Sequence, residues 1–136
     1  MVIAYVDGSF TPKFGYPTYG IYMISDDGIE YKYRGQITDE SMTGSRQIAG
    51  ELIATIVAIN NAIKMGHKKI EIRYDYAGIE KFATGEWKAK NHVSQWYVNK
   101  FNKLKNKIEI VFTKIEAHTG DKGNEIADQL AKSAAH

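Results

Sequence analysis

The sequence has no cysteine, only two prolines and no long apolar run. The missing cysteines exclude disulfides and thiolate metal sites, and they fit a reducing cytoplasm, where we expect the protein to be located. No run approaches the roughly 20 apolar residues that a membrane span needs, and the start lacks the basic region of a targeting signal. We therefore expect no membrane partner. The net charge of +2 is too small to indicate a polyanionic partner by itself.

The 136 residues present are 43% hydrophobic and 25% charged, which is ordinary for a globular protein. This length fits one domain that can bury a substantial core. Since no linker, repeat or low-complexity tract interrupts the sequence, we expect residues 1–136 to form a single catalytic domain.

Hydrophobic periodicity predicts the element order β-β-β-α-β-α-α-β-α. A tight-turn signal at residues 26–28 joins the second and third strands as an antiparallel hairpin. Strand-helix-strand crossovers follow, and residues 38–45 form a polar connection. This order predicts an α/β fold with a mixed five-stranded sheet flanked by helices. The sheet has three antiparallel strands followed by two parallel ones. The predicted strands are 1–9, 19–25, 31–37, 69–74 and 108–114, and the predicted helices are 48–63, 77–83, 95–105 and 124–135.

Four acidic residues occupy comparable places in this pattern. Asp7 and Asp75 each stand where an apolar strand ends, Glu51 lies beside the apolar stripe of the long helix, and Asp128 lies in the last helix. If the two strands are parallel neighbours, their carboxylates emerge at one edge of the sheet. Taken singly, each acid is as well explained as a surface or capping residue, and Asp7-Gly8 as a simple turn.

Together, the four carboxylates would repel one another strongly unless cations bind between them. Ligands that are all oxygen select Mg²⁺ or Mn²⁺ rather than zinc. Two such ions about 3.5–4 Å apart drive phosphodiester hydrolysis, one activating the attacking water and the other stabilising the leaving oxygen.

Several motifs resemble the type 1 ribonuclease H family. They are Asp7-Gly8-Ser9, the helix start 49–52, the strand-terminal Asp75, Gly85-Glu86-Trp87, and the run from Ala117 through His118 to Asp128. The resemblance covers the whole chain and the order of its elements. It implies a ribonuclease H-like fold and endonucleolytic cleavage of the RNA strand of RNA–DNA hybrids, leaving 5′-phosphate and 3′-hydroxyl ends.

The same resemblance implies that Asp7, Glu51, Asp75 and Asp128 bind two Mg²⁺ ions, for which Mn²⁺ substitutes. We expect Asp7 to bridge both ions, Glu51 and Asp128 to complete one site, and Asp75 to complete the other. His118 matches the family's mobile histidine, which assists proton transfer or product release.

The sequence also departs from the family. Asp75 is flanked by Tyr74 and Tyr76, where many relatives carry Thr and Ser. The extra basic loop or N-terminal hybrid-binding domain of longer members is not expected here. Lysines between residues 88 and 107 form either a reduced basic handle for the hybrid or an ordinary solvated helix face. We expect a monomer.

Substrate contacts are predicted on three parts of the chain. Small polar groups read the 2′-hydroxyls of RNA across its shallow minor groove, and Gly8, Ser9 and Asn124 are candidates. Arg46 and Gln47 are candidates to bind phosphate or sugar near the start of the long helix, whereas the neighbouring Thr43 and Ser45 are equally well explained as helix caps. Trp87 either stacks on the DNA strand or belongs to the core.

Two rival functions use the same fold. One is a nuclease for another nucleic acid, such as a junction or a single strand, which the absent basic loop favours and Gly85-Glu86-Trp87 disfavours. The other is a non-catalytic nucleic-acid-binding module. The presence of all four acids and His118 argues against it, because degenerate members of such folds lose acids.

Overall fold

A computed structural model describes residues 1–116 and 120–135. Within these residues, five strands form one sheet in the order β3-β2-β1-β4-β5. β1 pairs with β2 and β2 with β3 in antiparallel fashion, whereas β1 pairs with β4 and β4 with β5 in parallel. The predicted mixed sheet is confirmed. The strands are β1 (Val2–Phe10), β2 (Pro17–Ser25), β3 (Glu30–Gln36), β4 (Lys69–Tyr74) and β5 (Glu109–Lys114).

Five helices lie within the described residues. They are α1 (Glu40–Thr43), α2 (Gln47–Lys64), α3 (Gly78–Thr84), α4 (His92–Leu104) and α5 (Lys122–Ser133). None of those helices combines the length and the apolar character needed to cross a bilayer.

Helix α2 lies at the centre of the main core. Its residues Leu52, Ile56 and Ile59 are almost completely buried, in the stripe that the sequence predicts. They share one hydrophobic cluster with β1, β2 and β4 on one side and with α4 on the other. Helix α2 is therefore packed between the sheet and α4.

Helix α5 lies on the opposite face of the sheet. Alternation along β1 directs Val2, Ala4 and Val6 into the α2 core, whereas Tyr5 joins a second cluster with Tyr22 and Ala127 of α5. Polar side chains of β3 hold the end of α5, since Arg34 donates to the hydroxyl of Ser133 at 2.8 Å and Gln36 donates to the carbonyl of Ala134 at 3.0 Å. The sheet is therefore covered from both sides near β1.

Several predicted boundaries are wrong for local reasons. The polar connection contains the single turn α1, which Asp39 caps by accepting from the N–H of Ser41. Helix α4 begins three residues earlier than predicted, because Asn91 and Ser94 form a capping box. Helix α5 begins at Lys122, because Asp121 accepts from the N–H of Asn124.

Candidate active site

Asp7 lies inside β1 rather than at its end, which corrects the predicted strand boundary. β1 pairs with β2 along its whole length, but its parallel pairing with β4 stops at Tyr5 opposite Arg73. The pairs of that parallel ladder differ by 68 residues, so the same register carried two residues further sets Asp7 opposite Asp75. Asp7 therefore lies just past the end of the parallel ladder. At this edge of the sheet, side chains from the ends of neighbouring parallel strands lie close together.

A close backbone contact brings Glu51 to this edge. A Cβ atom added to Gly8 would lie 2.5 Å from the backbone nitrogen of Glu51 and 2.4 Å from the carbonyl oxygen of Gln47. Such distances do not occur for real side chains, so only glycine allows the start of α2 to lie directly on β1. The chain next to Asp7 and the chain at Glu51 are therefore in contact.

A second glycine contact brings the last helix to the same place. Gly20 of β2 is the register partner of Asp7. A Cβ atom on Gly20 would lie 2.2 Å from the carbonyl oxygen of Ala127 and 2.6 Å from the nitrogen of Ala131. Asp128 is thereby carried close enough for its charge to raise the pKa of Asp7.

The carboxyl groups of Asp7, Glu51 and Asp75 converge, each offering one oxygen, and these oxygens all lie within 4.8 Å of one another. Asp7 and Glu51 are each only 6% exposed. The described residues leave one buried side-chain polar atom without a hydrogen-bond partner, and it is Oε2 of Glu51. A buried bare oxygen beside two further carboxylates matches the oxygen donors that a hard divalent cation prefers.

Burial and mutual repulsion make this carboxylate group difficult to charge. Burial, together with the charges of Asp75 and Asp128, raises the pKa of Asp7 to about 6, although its hydrogen bonds with Glu51 and Gly8 oppose the shift. Burial and the charge of Asp7 hold the pKa of Glu51 well above its usual range. The ionised cluster is therefore unfavourable without a bound cation.

Comparisons with known proteins identify the family and the fold of this chain. The RNase H family matches the sequence over residues 1–136. The chain belongs to the RNase H family. No curated protein sequence matches it significantly.

Solved RNase H structures share the fold. An RNase H1 from the halophilic archaeon Halobacterium salinarum is 27% identical, with a TM-score of 0.80 over 98% of this chain and 96% of that one. The N-terminal RNase H domain of a Mycobacterium tuberculosis protein is 19% identical, with a TM-score of 0.81 over 99% and 98%. LC11-RNase H1, solved in complex with an RNA/DNA hybrid, is 19% identical, with a TM-score of 0.76 over the full length of both chains.

Asp128, the fourth predicted ligand of this RNase H family member, is arranged differently from the other three acids. Its Oδ2 lies 3.0 Å from Nζ of Lys132, one helical turn later. Sequence reasoning missed Lys132, although its spacing of four residues from Asp128 on a predicted helix is the usual signal for an ion pair. His118, the predicted catalytic histidine, lies outside the described residues.

Four predicted substrate residues lie beside Asp7 in β1 and at the start of α2, and all four are at least partly exposed. Gly8 and Ser9 are partly exposed, and Arg46 and Gln47 are exposed. Arg46 is the N-cap residue of α2 at a φ of 52°, without a side-chain capping bond, so neither Thr43 nor Ser45 caps this helix. The Arg46 guanidinium lies 5.4 Å from the centre of the Phe10 ring, a cation–π contact that the sequence alone did not reveal.

Trp87 packs against other aromatic rings without being fully buried, and its stacking on the DNA strand stays a prediction. Its ring packs edge-on against Phe82 and Tyr76, with centroids 5.5 and 6.4 Å away. It nevertheless remains 40% exposed, which leaves part of the ring available to a nucleic acid. Asn124, in contrast, is only 3% exposed and offers little surface for contact.

The lysines between residues 88 and 107 point to solvent. They are all exposed, whereas Val93, Tyr97, Phe101 and Leu104 form the buried side of α4. Only Lys100 and Lys103 lie on a solvated helix face, that of α4, and the exposure of all six is also what a reduced basic handle for phosphates requires. The six lysines are Lys88, Lys90, Lys100, Lys103, Lys105 and Lys107.

Metal-free protein is expected to become more stable as the pH falls from 7 to 5. The pKa of Asp7 is about 6 in the folded protein against an ordinary 3.8. The folded state therefore holds more protons than the unfolded state between these values, and stability declines as the pH rises through them. The penalty at pH 7 is on the order of 1–3 kcal/mol, because one pKa unit corresponds to about 1.4 kcal/mol.

Thermal unfolding in EDTA at several pH values measures this effect. Subtracting the curve of the Asp7→Asn variant removes the contributions of histidines and of carboxylates that do not interact with Asp7, and leaves those of Asp7 and of its influence on Glu51. Groups whose pKa is lowered, such as Asp39, lose their stabilising effect only below about pH 4 and stay outside this window. A difference between the two proteins that does not change with pH would contradict the assignment.

Proposed function

We propose that this protein is a metal-dependent endonuclease that hydrolyses the RNA strand of RNA–DNA hybrids, leaving 5′-phosphate and 3′-hydroxyl ends. The observation that carries the proposal is that Asp7, Glu51 and Asp75 each offer a carboxylate oxygen within 4.8 Å of the others, together with the buried, unpartnered Oε2 of Glu51. Membership of the RNase H family and the fold shared with LC11-RNase H1, which is solved with an RNA/DNA hybrid, support the substrate class.

The carboxylates would hold two Mg²⁺ ions, or Mn²⁺ in their place. Asp7, Glu51 and Asp75 offer oxygens close enough together for one ion. Asp128, whose charge reaches Asp7, would hold the other ion together with Asp7. This division differs from the sequence-based expectation, which paired Glu51 with Asp128. When bound, such ions supply Lewis-acid chemistry at the scissile phosphate and lower the pKa of a bound water.

The chain's own residues would position the substrate and move protons. Asp7 would be central because its carboxylate would belong to both ligand groups, and its pairing with Gly20 of β2 fixes its place on β1. Gly8 and Ser9 would contact the 2′-hydroxyls of the RNA strand, and Arg46 and Gln47 the phosphates. His118 would assist proton transfer or product release. All these residues belong to one chain, so we also propose that a monomer is active.

Cleavage of an end-labelled RNA–DNA hybrid in Mg²⁺ or Mn²⁺ tests the proposal. We expect cuts within the RNA strand, none in the DNA strand, and no comparable cleavage of double-stranded RNA or DNA. Loss of cleavage in EDTA and its recovery on adding the metal would support metal dependence.

Other outcomes of the same assay decide for the rivals. Equal cleavage of duplex DNA, or preferred cleavage of a junction or a single strand, would indicate a nuclease for another substrate. Binding of the hybrid without cleavage in either metal would indicate a non-catalytic module.

A further inference from the structure

The fourth carboxylate of the site already has a cation beside it. Nζ of Lys132 lies 3.0 Å from Oδ2 of Asp128, and the two residues are one turn apart on α5. An acid followed four residues later by a lysine is the favourable orientation for such a pair on a helix. Glu51 differs from Asp128 in this respect, because its Oε2 is buried and has no hydrogen-bond partner.

We propose that Lys132 is an internal competitor of the divalent cation at Asp128 and sets the affinity of that ion. This inference rests on the proposed metal site. A divalent cation at Asp128 would bind the carboxylate that the ammonium group now contacts, and two cations beside one carboxylate repel each other. The ion that uses Asp128 therefore binds at a higher metal concentration than the ion held by Asp7, Glu51 and Asp75.

Because the pair is partly exposed, Lys132 would weaken metal binding at Asp128 without preventing it. The Lys132 side chain is 63% exposed, whereas that of Asp128 is 19% exposed. Exposed ion pairs are weak, and a lysine side chain at the surface regains its hydration and rotamer freedom when it is released. A divalent cation displaces the ammonium group without rearranging the helix, so the effect is a shift in affinity.

Mn²⁺ binding without nucleic acid, followed by titration calorimetry or electron paramagnetic resonance, tests this proposal. Lys132→Gln is expected to tighten the weaker Mn²⁺ site about two- to fivefold, the range that corresponds to one exposed ion pair. Lys132→Glu should tighten this weaker site further, because it adds a negative charge instead of only removing a positive one. The stronger site should change less in both variants.

Two further variants separate local competition from general charge effects. In an Asp128→Asn background, Lys132→Gln should no longer change Mn²⁺ affinity, because the group that it competes for is gone. Lys64→Gln removes the same charge from the exposed end of α2, which lies about 20 Å from Glu51 at 1.5 Å per helical residue. It should leave both sites unchanged.

The remaining outcomes overturn the inference. Unchanged affinity in Lys132→Gln would make the ion pair a surface contact without influence, and weaker affinity would mean that Lys132 orients Asp128 for the metal. If the unaltered protein cleaves hybrid and binds Mn²⁺ but Lys132→Gln binds it equally well, only the inference on Lys132 fails. If the unaltered protein neither binds Mn²⁺ nor cleaves hybrid, the proposed function fails as well.

Discussion

Replacing Asp7 with asparagine is expected to reduce hybrid cleavage by at least about 10³-fold while leaving the fold intact. Asp7 converges with Glu51 and Asp75 and is influenced by the charge of Asp128, and the neutral amide removes the charge that would hold a divalent cation. Loss of several kcal/mol of electrostatic stabilisation in the transition state corresponds to this factor, since each 1.4 kcal/mol is about tenfold in rate.

The same substitution should make the metal-free protein more stable at neutral pH. The pKa of Asp7 is raised by burial and by neighbouring carboxylates, so its ionised form opposes folding. We expect an increase of about 1–3 kcal/mol in the free energy of unfolding in EDTA at pH 7. A gain in stability when such a residue is replaced is typical of sites whose residues are arranged for function at the expense of stability.

A matched control is Asp26→Asn at the turn between β2 and β3. The Asp26 side chain is 74% exposed and contacts the N-terminal ammonium group, at the other end of the sheet from Asp7. This variant should keep full activity and change stability little. Retained cleavage in Asp7→Asn would mean that the metal site lies elsewhere.

Replacing Gly8 with alanine is expected to destabilise the protein by about 3 kcal/mol or more and to reduce cleavage about 10²-fold. The added methyl group would lie 2.4 Å from the carbonyl oxygen of Gln47 and 2.5 Å from the nitrogen of Glu51. Both are backbone atoms of α2, so the helix itself must move. Displacing Glu51 from Asp7 by about 1 Å is enough to produce such a loss of rate.

Gly44→Ala provides the control for this prediction. Gly44 ends α1 at a φ of −63°, and nothing lies within 4 Å of a Cβ atom placed there. The substitution should be neutral or slightly stabilising, because alanine restricts the unfolded chain more than glycine does. Denaturant unfolding and hybrid cleavage measure both variants, and equal stability of the two would show that α2 does not depend on its contact with Gly8.

The sequence alone determined the class of the fold and the acidic residues of its candidate site. Alternating apolar residues, a helix stripe ending before Gly66 and the order of the elements were sufficient for the mixed sheet, because these signals are local in the chain. The acids were recognisable because Asp7 and Asp75 follow apolar strands, and because Glu51 and Asp128 lie among the packing positions of helices. Their family motifs then indicated ribonuclease H.

Tertiary structure decided how the acids are grouped. Nothing in the sequence shows that Asp7 lies two residues past the parallel ladder, because that depends on the register between β1 and β4. The close contacts at Gly8 and Gly20 join segments far apart in the chain, and a glycine in a strand has the same local signal whether or not a helix lies on it. These contacts bring Glu51 and Asp128 to Asp7.

The convergence of three of the carboxylates likewise depends on tertiary structure, whereas the pairing of the fourth with Lys132 follows from their spacing on one helix. The sequence shows where the acids are, but each acid taken singly is as well explained as a turn, capping or surface residue. Burial of Asp7 and Glu51 beside one another gives their carboxylates the high pKa and the bare oxygen that a cation would satisfy. Charge repulsion in a buried place depends on distance and solvent exposure, and both are properties of the folded chain.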